Sequence, residues 1–196
     1  HYPLRRQRQM CIRDSLKILD SEPEERFDRL TRMARRMFDV PIALVSLVDV
    51  DRQWFKSKQG IDASETPRSI SFCSHAIVED HIMEIPDARE DIRFFDNPVV
   101  TGDPHVRFYA GCPIKISGGH AVGTLCLVDR EPRSLSPKDR ELLQDLAAMA
   151  EDEIAAIQSA TIDHLTQMSN RRGFEVLGNH VLATCCLLYT SDAADE

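Results

Sequence analysis

The side chains most able to do chemistry in this 196-residue chain sit in the run Ser71-Phe72-Cys73-Ser74-His75. A cysteine at the entry of a helix, two residues from a histidine, can have a lowered pKa, so a reactive thiol, a bilin attachment point and a metal ligand are all open. The plainer reading is a packed thiol beside a histidine that hydrogen-bonds a loop, since two ligands do not make a zinc site and the other histidines show no matching spacing. Cys112 and Cys126 fall on two consecutive predicted strands and are expected to face each other across a hairpin, which invites a redox pair. All six cysteines are expected as reduced thiols, because the start of the chain lacks a secretory signal. Signatures of enzymes are missing: there is no G-x-x-x-x-G-K, no H-E-x-x-H and no G-x-S-x-G.

The elements that must position these residues follow from hydrophobic spacing. Phe27, Leu30, Ala34, Met37 and Phe38 recur at helical intervals, with arginines on the remaining faces, predicting an amphipathic helix over 24–38. Ile42 to Val48 is apolar throughout and β-branched, which predicts a central strand covered on both sides. Gln53 to Lys58 alternates aromatic and polar residues, as a strand with one wet face would. A short helix near 74–79, a short strand at 82–85 and strands at 108–116 and 121–129 follow, the last two joined through Gly118-Gly119. Gly111 lies inside a strand, where a missing side chain marks close approach by another backbone or a ligand. The long polar stretch 87–104 is expected to be functional. Ser136-Pro137 starts a helix that runs to about 160, and Ala150, Ile154, Ile157 and Thr161 form a coiled-coil-like seam on it.

Composition bounds the partners. With 24 basic and 32 acidic residues the net charge is −8, which argues against nucleic acid or an anionic membrane, and 42% hydrophobic residues predict a packed core. No apolar run has the length of a membrane span, so the expected location is cytoplasmic. Segments 1–15 and 184–196, with MCIRDS and CLLYTSDAADE, resemble translated sequencing-adapter read-through and are set apart as non-native or disordered.

The ordered runs Pro41 to Asp49, Arg52 to Lys56, Glu65 to Arg68, Ser71 to His75, Pro86 to Ala88, Arg107 to Gly111 and Gly123 to Cys126 closely resemble the bacterial GAF sensory domain, over 16–158 with an output helix from 136. The resemblance implies an α+β fold: a GAF-like antiparallel sheet of about six strands flanked by helices, with a long C-terminal signalling helix. It also implies a small-molecule pocket between one sheet face and the irregular middle. Candidate ligand-binding residues are Phe55, Phe72, Cys73, His75, Phe95, Asp96, Asn97 and Phe108. Within 159–183, Asp163-His-Leu-Thr166 and Asn170-Arg-Arg-Gly-Phe174 look like the opening of a GGDEF domain, with Gln167-Met168 where that pattern has Gly-Leu. These resemblances imply the sensor part of a diguanylate cyclase in cyclic di-GMP signalling. The catalytic core lies outside the chain, so no catalytic residue, metal or cofactor is expected here, and Mg²⁺ and GTP belong only to that core. The expected partners are an unidentified small molecule and a second copy bound through the C-terminal helix. The alternatives are a stand-alone GAF dimerisation or binding module and, less favoured, a thiol-based redox sensor or an enzyme like methionine-sulfoxide reductase.

Overall fold

A computed structural model describes residues 18–116 and 119–161. The sequence expectations for the head, the tail and the GGDEF-like opening fall outside these residues. Helix α1 (Glu25–Met37) buries Phe27, Leu30, Thr31 and Ala34, and its acidic first turn and basic last turn both complement the helix dipole. Strands β1 (Ile42–Val48), β2 (Arg52–Gln59) and β3 (Glu65–Pro67) follow, then a 3₁₀ turn at Arg68–Ile70 and the short helix α2 (Cys73–Ala76). Strand β4 (Met83–Ile85) and helix α3 (Pro98–Thr101) lead to the long strands β5 (Phe108–Ile116) and β6 (His120–Asp129). Helix α4 (Pro137–Thr161) closes the described chain.

The strands form one sheet in the order β3-β2-β1-β6-β5-β4, every neighbouring pair antiparallel. β1 and β6 are central, which is why all seven residues of β1 are buried. Alternation divides the sheet into two faces. Ile42, Leu44 and Val48 of β1 join Tyr109, Cys126 and Val128 in an apolar cluster with Phe72, Cys73, Phe94 and Val106 from the irregular middle. α1 packs on the other face, where Ser57 on β2 hydrogen-bonds both Asp28 (2.6 Å) and Thr31 (2.8 Å).

β2 departs from the expected one wet face. Gln53, Lys56 and Ser57 are buried with Trp54 and Phe55, because each polar group finds a partner. Lys56 is the extra residue of a β-bulge, unpaired between Val45↔Ser57 and Ser46↔Phe55. The bulge turns its ammonium group to Glu24 (2.7 Å), Ser21 Oγ (2.7 Å) and the Glu22 carbonyl (2.8 Å), beside the Phe27 ring.

α4 starts as the sequence predicts. The Asp139 N–H donates to Ser136 Oγ (3.2 Å) and the Ser136 N–H to Asp139 Oδ2 (2.9 Å), a reciprocal cap. Its buried stripe is Leu143, Leu146, Ala147, Ala150 and Ile154. Two of the expected seam residues, Ala150 and Ile154, are therefore already covered within their own chain. Glu151 accepts from the Lys115 N–H of β5 (2.5 Å), and Glu153 pairs with Arg26 of α1 (3.4 Å). The chain separates into two compact units after Ile154, and the described part of the second is the end of this helix.

Candidate functional site

Between the sheet and the irregular middle lies a cavity of about 470 Å³. Its floor is the face formed by Ile42 and Leu44 of β1, Phe55 of β2, Tyr109 of β5, and Cys126 and Val128 of β6. Its cover is built from Ile61, Ile70, Phe72, Val99 and Val106, with Gln53, Thr66, Ser71 and Arg130 as polar groups at the wall. Ser71 Oγ donates to Gln53 Oε1 and accepts from the Ser74 N–H (3.1 Å), so one hydroxyl ties β2 to the start of α2. Asn97 holds the other side of the cover: its Oδ1 caps α3 by accepting from Val99 N–H (3.1 Å), and its Nδ2 donates to the Ile70 carbonyl (3.1 Å). Volume and mixed lining are those of a site for a small organic molecule. A larger cleft, about 700 Å³, lies at the far end of α1, with charged walls from Arg32, Arg35, Arg36, Arg130 and Arg133.

The chemistry concentrates at Cys73 and Cys126, whose sulfurs are 3.7 Å apart and both line the cavity. Tyr109 OH donates to Cys73 Sγ (3.3 Å), and the hydroxyls of Ser46 and Thr124, hydrogen-bonded to each other (3.1 Å), also favour its thiolate. Gly111 explains how the tyrosine fits. A Cβ at position 111 would overlap the Tyr109 hydroxyl and ring, so the space at this glycine is taken by the side chain two residues back and not by the backbone or ligand expected there. Burial pushes the Cys73 thiol up, but the hydrogen bonds from Cys126, Ser46, Thr124 and Tyr109 outweigh it and hold the thiol at about 6. The hydrogen bond with Cys73, followed by burial, pushes Cys126 well above the usual thiol range. Burial, then the charge of the two sulfurs, raises Tyr109 as well, so it remains a donor. Among the described residues no group of three His, Cys, Asp or Glu side chains is placed to hold a metal ion.

Of the eight candidates named from sequence, Phe55, Phe72 and Cys73 line the cavity. Asn97 is buried in the cover as a cap, and Phe95 (52% exposed) and Asp96 are on the surface. His75 is exposed, its ring edge-on to Phe94 (4.9 Å), and burial of part of the ring, then the Arg93 cation, lower its pKa. Phe108 is fully buried, but strand alternation gives the cavity to Tyr109 instead. The expected Cys112–Cys126 pair is likewise out by one residue: Cys112 pairs with Leu125 and Cys126 with Gly111. Cys112 therefore lies off the cavity, raised to about 11 by burial and then by Glu151. Sequence reasoning missed Tyr109, Ser46 and Thr124, and named Cys126 only as the partner of Cys112. Parity with Gly111 along β5 was the available signal for Tyr109.

Sheet order, helices on both faces and a cavity roofed by an irregular segment define an α+β domain built around a ligand-sized space. The GAF domain model matches residues 22–154, and the chain belongs to the GAF domain family. It is 39% identical over 172 residues to a cyclic di-GMP phosphodiesterase of Pseudomonas aeruginosa, a match covering 87% of this chain and 29% of that protein. The chain thus spans less than a third of this relative's length, and the relative is a phosphodiesterase where the sequence reading expected a cyclase. Among solved structures, the GAF domain of an Acinetobacter phosphoenolpyruvate-protein phosphotransferase superposes with a TM-score of 0.56 at 17% identity, covering 74% of this chain and 94% of that one. Free methionine-R-sulfoxide reductase of Neisseria meningitidis gives a TM-score of 0.57 at 16% identity, over 74% of this chain and 87% of that one. At these identities the likeness is one of fold.

Proposed function

We propose that this chain is the small-molecule-sensing part of a cytoplasmic protein that controls cyclic di-GMP turnover. The observation that carries the sensing role is the 470 Å³ cavity, whose apolar floor and few polar wall groups suit a compact, largely apolar ligand with one polar end. The role in cyclic di-GMP signalling is supported by the 39% identity to a phosphodiesterase and by the GGDEF-like opening at Asp163 to Phe174. The two differ on the sign of the output, since a GGDEF cyclase makes the messenger and a phosphodiesterase destroys it. Assay of the parent protein with GTP and with cyclic di-GMP separates them. The chain itself holds no catalytic residue in this reading, and any Mg²⁺ or GTP belongs to the attached domain.

A ligand biases output only through different affinities for two arrangements of the domain, a coupling of ~1 to 3 kcal/mol. Two copies pair, in this reading, through the helix beyond Ile154, because the earlier seam is occupied. A thermal-shift screen of small metabolites tests the sensing role: a true ligand raises the melting temperature with concentration, and Val99→Trp, which fills the cavity mouth, removes the effect. A shift that survives Val99→Trp would place binding elsewhere.

A further inference from the structure

We propose that Cys73 and Cys126 form an oxidisable dithiol, which a small hydroperoxide entering the cavity converts into a disulfide joining the cavity's cover to its floor. The two sulfurs are 3.7 Å apart, and side-chain rotation can close much of the gap to a bond of roughly 2.0 Å. They are 53 residues apart in sequence, one at the start of α2 and the other on central strand β6, so the bond would tie the irregular middle to the sheet. Both line the same cavity, which gives a small oxidant a path to thiols otherwise sealed from solvent. Cys112, buried on the opposite sheet face and off the cavity, is the internal control.

The hydroxyls of Tyr109, Ser46 and Thr124 surround Cys73 and stabilise its thiolate, which is the nucleophile. The thiolate attacks one peroxide oxygen; the S–O bond forms, the O–O bond breaks, and the departing hydroxide or alkoxide takes up, through solvent, the proton that Cys73 released. The Cys126 sulfur then attacks the sulfenic sulfur. The S–S bond forms, the S–O bond breaks, and hydroxide leaves with the Cys126 proton as water. Two thiols lose two electrons, and hydrogen peroxide becomes two waters, or an alkyl hydroperoxide becomes water and alcohol. The Cys73 thiolate, whose hydrogen bond and charge raise Cys126 in the reduced pair, is gone once Cys73 is a sulfenic acid, so Cys126 gives up its proton more readily as it attacks.

The test treats the reduced full chain with one equivalent of hydrogen peroxide, alkylates free thiols after unfolding, and maps the peptides by mass. The expected product is a Cys73–Cys126 linked peptide lighter by two hydrogens and restored by dithiothreitol, formed roughly tenfold or more faster than any oxidation of Cys112. In Cys126→Ala, dimedone should trap Cys73 as a sulfenic acid. Full alkylation of Cys73 and Cys126, oxidation of Cys112 at the same rate, or linkage mainly through Cys11, Cys185 or Cys186 would overturn the proposal. The wild-type map gives this answer even if the alanine variant fails to fold.

Discussion

At the scale of single residues, Cys73 is governed by a contest between burial and hydrogen bonding. Its native pKa, about 6, is below the ordinary thiol value of 9.0, so between these values the unfolded chain binds more protons than the native one. Stability of the reduced protein should therefore rise with pH across that window and be lost as pH falls through 6. Above 9 the sign reverses, because Cys126 keeps its proton only in the fold. Urea unfolding from pH 6 to 10 should show a maximum near 9, and Cys73→Ser should flatten the rising limb. Gly123 makes a different kind of demand. A Cβ there would overlap the Ser46 carbonyl on neighbouring β1, where backbone has no room to yield. Gly123→Ala is expected to cost ~2 kcal/mol or more, read as a lower denaturation midpoint at unchanged m-value.

At the scale of elements, the bulge in β2 and the stripe on α4 do the positioning. Lys56 has no exposed side-chain surface, whereas its partner Glu24 keeps 28% and also pairs with Arg26 (2.6 Å), so breaking the pair leaves a carboxylate that water and Arg26 still reach. Lys56→Met should destabilise by about 2 kcal/mol, less than a fully buried pair would lose, and Glu24→Gln in the Met background should cost little more. On α4, Ile154 is wholly buried and Met149 is 44% exposed. Ile154→Asp should destabilise the domain by ~3 kcal/mol or more, since the carboxylate would be buried without a partner. Met149→Glu should stay within about 0.5 kcal/mol. In sedimentation, Ile157→Glu is the variant expected to shift the proposed dimer toward monomer.

For the whole molecule, one sheet separates two tasks. α1 and the cavity lie on opposite faces, and β1 and β6, buried at the centre, belong to both. An aromatic series runs from the cavity floor outward: Tyr109 to Phe72 (5.1 Å), Phe72 stacked on Phe94 (4.1 Å), and Phe94 against His75 at the surface. A ligand in the cavity would touch the inner end of this series, Tyr109 and Phe72. A saturating ligand at a hundredfold excess over Kd should add about 2.7 kcal/mol to unfolding stability, visible as a shifted urea midpoint. Phe72→Ala, which removes the middle ring, should weaken ligand binding and stability together.

The elements themselves were written in the sequence because their causes are local. Helical spacing located α1, the unbroken apolar run of Ile42 to Val48 marked the central strand, and Ser136-Pro137 fixed the start of α4. Strand phase, bulges and cross-sheet pairing depend on contacts between residues far apart, and there the sequence was ambiguous. A shift of one residue gave the cavity Tyr109 in place of Phe108 and put Cys126 opposite Gly111 instead of Cys112. The same limit hid the burial of Lys56, which depends on a bulge and on Glu24 arriving from the segment before α1. Only the folded chain brings Cys73 beside Cys126, because their meeting is decided by how the irregular middle lies over the sheet, and no local periodicity encodes that.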